Sequence, residues 1–201
     1  MNEQELFWSQ SFGDDYTDRN NRSLITNNIN LFEKILKNIE IKTVFEIGCN
    51  RGLNLEAINT INNTIELNGL EINTKAYEIL KNLNICKKLY NQTIFEYNSN
   101  ETYDLVFSKG VMIHINPDKL ELLYEKLYNM SKKYIVIAEY YSRQVQEINY
   151  RGNTNKLFKR DFCGEIMNKY PDLKLIDYGF VYHRDPKFPL DDITWFLLEK
   201  S

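Results

Sequence analysis

A run suited to a buried strand, Thr43-Val44-Phe45-Glu46-Ile47, ends in Gly48-Cys49-Asn50-Arg51-Gly52, and a helical pattern resumes from Leu53 to Ile61. Glycines at positions 48 and 52 let the backbone turn tightly and approach a bound molecule closely. Glu46 sets a carboxylate two residues before the turn. Glu71 follows 23 residues after Gly48, at the end of the next apolar run. An acid there accepts hydrogen bonds from ribose hydroxyls in nucleotide-binding folds of this type. The chemistry indicated is the holding of a nucleoside that carries a polar tail.

Two cofactor classes compete for that geometry. A dinucleotide site shows G-x-G-x-x-G, with helix N–H groups receiving a pyrophosphate. Here the middle position is Asn50 and the third falls at Leu53. The spacing G-x-N-x-G behind Glu46 resembles Rossmann-like S-adenosylmethionine-dependent methyltransferases. That resemblance implies Glu46, Gly48, Cys49, Asn50 and Gly52 around the methionine end of the cofactor, Glu71 on its ribose and Ile72 against its adenine. S-adenosylhomocysteine would be the product. Related folds place adenine contacts after the third strand, at Thr93 and Ile94 here; ordinary loop and core roles account for these two equally well. Ser108, Lys109 and Gly110 leave the fourth strand at its C-terminal end, where open α/β sheets bind ligands, and would floor the methyl-transfer site.

Outside that frame, Arg19 can clamp the cofactor carboxylate through its guanidinium fork. Trp8 and Tyr16 can shield a sulfonium. The alternative is that this N-terminal segment only packs on the sheet. His114 lies just past the methyl-transfer floor, and its titration range suits a general base; a histidine bonded to backbone at a helix start is the competing reading. Tyr140, Tyr141, Tyr150, Arg151, Arg160, His183 and Arg184 gather in two long polar segments. Aromatic rings stack on sugar faces and arginines fork onto carboxylate or phosphate, so these residues are candidates for the acceptor. Solvated loops with local charge pairs, such as Arg160 with Asp161 or Arg184 with Asp185, are the alternative.

The elements that must position these groups follow from periodicity. Leu24 to Ile39 repeats at helical spacing, predicting a helix from about Ser23 to Asn38. Strands are expected at Thr43–Ile47, Ile65–Leu70, Lys88–Tyr90, Tyr103–Ser108 and Tyr134–Ala138, with helices after the first two and one opened by Asn116-Pro117-Asp118. Glu139–Lys159 reads as a long polar loop before a helix at Asp161–Lys169, and strands at Leu173–Tyr182 and Ile193–Glu199 close the chain as an antiparallel hairpin. Alternating strands and helices give an α/β fold. The expectation is a Rossmann-like, mostly parallel seven-stranded sheet with an antiparallel C-terminal hairpin and helices on both faces.

Composition bounds the partners. The 201 residues are 43% hydrophobic and 26% charged with a formal net charge of −3, which fits one domain and gives no basic excess for nucleic acid. No apolar run is long enough to span a bilayer, and the polar N-terminus is unlike a signal peptide. The cysteines, Cys49, Cys86 and Cys163, form no C-x-x-C pair and there are two histidines. A reducing, cytoplasmic setting is therefore expected, with no metal site.

Several blocks resemble the methyltransferases associated with pseudaminic acid biosynthesis. They are Phe7-Trp8-Ser9 with Phe12 to Asn20, Lys109 to Pro117, Tyr150-Arg151-Gly152, Lys156 to Phe162, and His183 to Pro186 with Asp191 to Phe196. The resemblance implies a small acceptor, namely an acidic sugar, sugar nucleotide or nonulosonic-acid derivative of bacterial surface glycans, methylated on oxygen or nitrogen. The expected layout is a single domain in which residues 1–40 form a helical lid and residues 41–201 the cofactor sheet, with substrate loops at 139–160 and 183–192. A nicotinamide-dependent oxidoreductase and a cofactor-binding protein without catalysis remain as alternatives, and nothing in the sequence indicates an oligomeric state.

Overall fold

Alternating burial along the strands shows why the chain folds in layers. Phe45, Ile47, Val106, Ile135 and Ile137 point to one face of a sheet, and Val44, Leu105, Phe107, Tyr134 and Val136 to the other. The computed structural model describes residues 1–20 and 22–201. Two short helices, α1 (Glu3–Ser9) and α2 (Ser11–Arg19), precede α3 (Ile25–Leu36). Then follow β1 (Thr43–Ile47), α4 (Leu53–Ile61), β2 (Glu66–Leu70), α5 (Thr74–Asn82), β3 (Cys86–Tyr90), β4 (Tyr103–Lys109), α6 (Leu120–Met130) and β5 (Ser131–Glu139). The chain ends with β6 (Gln146–Tyr150), β7 (Asn153–Lys159), α7 (Phe162–Lys169), β8 (Leu173–Val181) and β9 (Ile193–Lys200).

Seven strands form one sheet in the order β3-β2-β1-β4-β5-β9-β8. The first five are parallel, and β9 runs antiparallel to both β5 and β8. The expected sheet is therefore observed, including its closing hairpin. Helices α6 and α7 cover one face. Helices α3, α4 and α5 cover the other; Leu31, Phe32 and Ile35 of α3 are each 1% exposed, and full burial stabilises by roughly 1.5–3 kcal/mol per large apolar side chain. Strand order reverses between β1 and β4, and ligands of open α/β sheets bind in the crevice at that point, beyond the strands' C-terminal ends.

The helix predicted from about Ser23 to Asn38 is α3, preceded by a 3₁₀ turn at Arg22–Leu24. One expectation needs correction. The polar segment 139–160 is not a loop: β6 and β7 pair as a separate antiparallel hairpin, Gln146 opposite Lys159 and Ile148 opposite Leu157. Its turn is Arg151-Gly152, both at positive φ (51° and 83°), the backbone that a tight two-residue hairpin turn requires. The signal was weak because Leu157 and Phe158 are the buried apolar residues of this hairpin, with Ile148 and Tyr150 half-buried against the core.

Candidate active site

The ends of β1, β2, β3 and β4 and the overlying α1, α2 and α3 enclose a cavity of about 1160 Å³ including its open mouth. At its base, Gly48, Asn50 and Gly52 all have positive φ (70°, 45° and 86°). A Cβ on Gly48 would lie 2.6 Å from Val111 Cγ2, and one on Gly52 would lie 2.3 Å from Leu80 Cδ1. Both glycines are thus fixed by conformation and by space. Cys49 is buried in the turn, its thiol donating to the Leu70 carbonyl at 3.3 Å, and burial pushes that thiol well above its usual range.

Glu46 is fully buried at the end of β1. One oxygen accepts from Asn54 Nδ2 at 2.6 Å, and the other, Oε2, has no partner among the described residues. Burial pushes its pKa up to about 8 against the opposing pull of Asn54 and Lys109. Asn54 Oδ1 and Asn28 Oδ1 are likewise buried without a partner, and both residues line the cavity. Glu46 and Lys109 project toward the sheet face that α3 and α4 cover, the helices that carry Asn28 and Asn54. Glu46 and Asn54, two residues to either side of the glycine turn, thus meet and each keep an oxygen without a partner among the described residues. Lys109 lines the same cavity, and burial lowers its pKa although Glu46, Asp191 and Glu139 oppose this.

Glu71 follows β2 directly and is 6% exposed. Its two oxygens accept from the Asn50 N–H at 2.6 Å and the Asn73 N–H at 2.8 Å, which ties the glycine turn to the end of β2. Burial raises its pKa, against those backbone bonds. A carboxylate has about four acceptor positions, so Glu71 retains capacity toward the cavity that it lines. Ile72, Thr93 and Ile94 line the adjoining wall, and Thr93 Oγ1 donates to Glu5 of α1 at 2.5 Å.

Above the base stands an aromatic group. Trp8 packs against Phe7, Phe12, Tyr16, His114 and Tyr150, with its centroid 4.4 Å from that of His114. His114 is 7% exposed and its Nδ1 lies 2.6 Å from the Lys156 carbonyl of β7. A carbonyl only accepts, so Nδ1 carries the proton and Nε2 keeps its lone pair. Burial lowers the His114 pKa to about 4, so the ring is neutral above that pH.

Of the expected site residues, Trp8, Tyr16, Gly48, Cys49, Asn50, Glu71, Ile72, Thr93, Ile94, Lys109, Gly110 and His114 line the cavity together. Glu46 and Gly52 are not among the lining residues, although Asn54, which binds Glu46, is; others lie farther off. Ser108 points to the opposite sheet face, where its hydroxyl donates to Glu139 at 2.8 Å. Arg19 is exposed and lies over the Phe12 and Tyr16 rings, at 5.6 and 5.8 Å from their centroids, so it is no clamp inside the cavity. Arg160 is held by Glu165 at 2.7 Å, and His183 by Asp192 at 2.8 Å. Asp161, expected beside Arg160, caps α7, and Asp185, expected beside Arg184, accepts backbone N–H groups in its own turn. Tyr140 packs under Lys159, Tyr141 and Arg184 are exposed, and Arg151 sits at the hairpin tip. Tyr150 alone of that group touches residues of the cavity wall, Trp8 and His114.

Gln4, Asn28, Asn54 and Gln92 line the cavity without having been singled out from sequence. Asparagine is abundant throughout the chain, which hid Asn28 and Asn54. Gln4 and Trp8 stand four apart, one helical turn, and that spacing was the available signal.

No protein-family model matches this chain, and no curated protein matches it in sequence. Solved structures do resemble it. The 1,6-didemethyltoxoflavin-N1-methyltransferase of Burkholderia thailandensis, with its substrate and S-adenosylhomocysteine bound, superposes with a TM-score of 0.72 at 10% identity, over 98% of this chain and 87% of that one. The magnesium protoporphyrin IX methyltransferase of Synechocystis, with S-adenosylmethionine bound, gives 0.70 at 10% identity over 100% and 99%. The plantazolicin methyltransferase BpumL, in complex with a desmethyl analogue and S-adenosylhomocysteine, gives 0.63 at 16% identity over 94% and 89%. The chain therefore has the Rossmann-like fold of class I S-adenosylmethionine-dependent methyltransferases.

Proposed function

We propose that the protein is an S-adenosylmethionine-dependent methyltransferase acting on oxygen or nitrogen of a small acceptor. The observation that carries this reading is the pair of oxygens without partners on Glu46 and Asn54, which meet across the glycine turn. An ammonium presents three N–H donors to such a pair. A pyrophosphate placed there would meet the carboxylates of Glu46 and Glu71 instead, which disfavours a nicotinamide dinucleotide.

In this reading Glu46 with Gly48, Cys49, Asn50 and Gly52 holds the methionine end. Glu71 takes the ribose, Ile72, Thr93 and Ile94 surround adenine, and Lys109 with Gly110 floors the transfer site. Trp8 and Tyr16 exclude water. The bound cofactor supplies an electrophilic sulfonium methyl. The protein's part is in-line positioning and, for a hydroxyl acceptor, removal of its proton to Nε2 of His114. Transfer of that methyl would leave S-adenosylhomocysteine as the product. An amine acceptor that is already deprotonated needs no base. The resemblance in sequence directs the acceptor toward a sugar, sugar nucleotide or nonulosonic-acid derivative, with Tyr150 offering a ring beside the cavity and Arg151 and Arg184 remaining for an acidic group.

Isothermal titration with S-adenosylmethionine, S-adenosylhomocysteine and NAD tests the cofactor. Binding of the first two and not the third is expected, and Glu71→Ala weakens both by about tenfold or more, the consequence of losing hydrogen bonds to a charged group. Tight NAD binding with no response to the other two overturns the reading.

A further inference from the structure

Three polar groups on the upper wall of the cavity have no role in the cofactor's methionine end or ribose. Gln4 is 6% exposed; its Nε2 donates to the Asn155 carbonyl of β7 at 3.2 Å, and its Oε1 is buried without a partner among the described residues. Trp8 Nε1, one turn along the same face of α1, is also buried without a partner. His114 Nε2 keeps its lone pair because Nδ1 is committed to the next β7 carbonyl, that of Lys156. Gln4 and His114 thus hang from adjacent carbonyls of one strand, Trp8 packs on His114 at 4.4 Å, and all three line the cavity. Asn155 has a positive φ of 55°, which breaks the usual alternation of the strand where these two carbonyls are used.

The donor and acceptor inventory of this trio is specific. Gln4 Oε1 and His114 Nε2 each need a donor, and Trp8 Nε1–H needs an acceptor. A lone alcohol has one hydroxyl hydrogen and leaves one of the acceptors unmatched. Two adjacent hydroxyls, or a hydroxyl beside an amine, supply two hydrogens and a free lone pair together. We propose that Gln4, Trp8 and His114 form the acceptor subsite, and that the acceptor presents a vicinal diol or amino alcohol on a small ring. The proposal rests on the methyl-transfer reading, since that reading assigns the rest of the cavity to the cofactor. It places the discriminating groups on α1 and on a residue held by β7.

The test uses the full chain saturated with S-adenosylhomocysteine and ligand-observed saturation-transfer NMR. The probes are N-acetylglucosamine and myo-inositol, which carry adjacent ring hydroxyls, and cyclohexanol, which carries one. The two diols should bind and cyclohexanol should not. Trp8→Phe keeps the ring against His114 and removes only the N–H; Gln4→Ala removes the acceptor. Each should weaken the diols about tenfold or more, and in Gln4→Ala S-adenosylhomocysteine affinity should stay within about twofold. If all three probes bind alike, or neither diol binds the loaded wild type, the subsite assignment is wrong. If either variant loses S-adenosylhomocysteine affinity while diol binding holds, the trio belongs to the cofactor and the proposal is overturned. Wild type that does not bind S-adenosylhomocysteine at all overturns the methyl-transfer reading first, and this one with it.

Discussion

Glu46 carries a carboxyl shut away from solvent, with one oxygen on Asn54 and the other on nothing. Burial holds its pKa near 8, so the ligand-free protein keeps it protonated at neutral pH. An ammonium placed beside it favours the carboxylate, and binding must then release that proton. Lys109, which lowers the same pKa, is already present in the free protein and does not change the direction. Affinity for S-adenosylmethionine should therefore rise by up to about tenfold per pH unit from pH 6 to pH 8 and level off near 8. Titration calorimetry across that range measures it. Glu46→Gln, which cannot ionise, should bind weakly with a flat profile, and a flat profile in the wild type would show that no cation docks there.

At the scale of elements, the turn from β1 to α4 and the end of β4 offer a controlled comparison. Gly52 and Gly110 both have positive φ, 86° and 68°. A Cβ on Gly52 meets Leu80, whereas one on Gly110 meets nothing within 4 Å. Gly110→Ala should cost about 1–2 kcal/mol from backbone strain alone. Gly52→Ala adds overpacking of about 1–3 kcal/mol. Urea unfolding measures the difference, and equal midpoints for the two variants would refute it. The same elements show what a sequence reveals. Apart from Glu46 and Asp104, Val44–Ile47 and Tyr103–Phe107 are apolar because both sheet faces are covered, so β1 and β4 were legible, and the glycine turn with them. Strands β6 and β7 were not, since Gln146, Glu147, Asn149, Thr154 and Asn155 alternate with little that is apolar. Without that hairpin, the carbonyls that hold Gln4 and His114 had no place in the reading. Arg160 was set beside Asp161 by adjacency, whereas the fold brings it Glu165, and the pairing of His183 with Asp192 had no signal in the sequence.

Across the whole molecule, α1 and α2 are attached by polar ties more than by apolar burial. Only Gln4, Gly13 and Thr17 of these helices are buried. The ties run from Asp14 to Asn73, Asp18 to Lys75, Glu5 to Thr93 and Glu3 to Lys156. Segments with few buried apolar contacts open at lower free energy than the core. Amide hydrogen exchange should therefore be fast in α1 and α2 and slow in β1 and β4, and S-adenosylhomocysteine should slow it in α1 and α2. Protection of α1 equal to that of β4 without ligand would contradict this.

The tie between α1 and β7 also spans most of the chain: Gln4 meets Asn155, 151 positions later, and Glu3 meets Lys156, 153 positions later. At the roughly 5–20 residues per second of protein synthesis, β7 is made about 10–30 s after α1. Helix α1 thus waits for a strand made most of the fold later. During that interval Trp8, which lines the cavity, and Phe12 have no Tyr150 of the hairpin to rest on. That side of the cavity is complete only once β6 and β7 have been made.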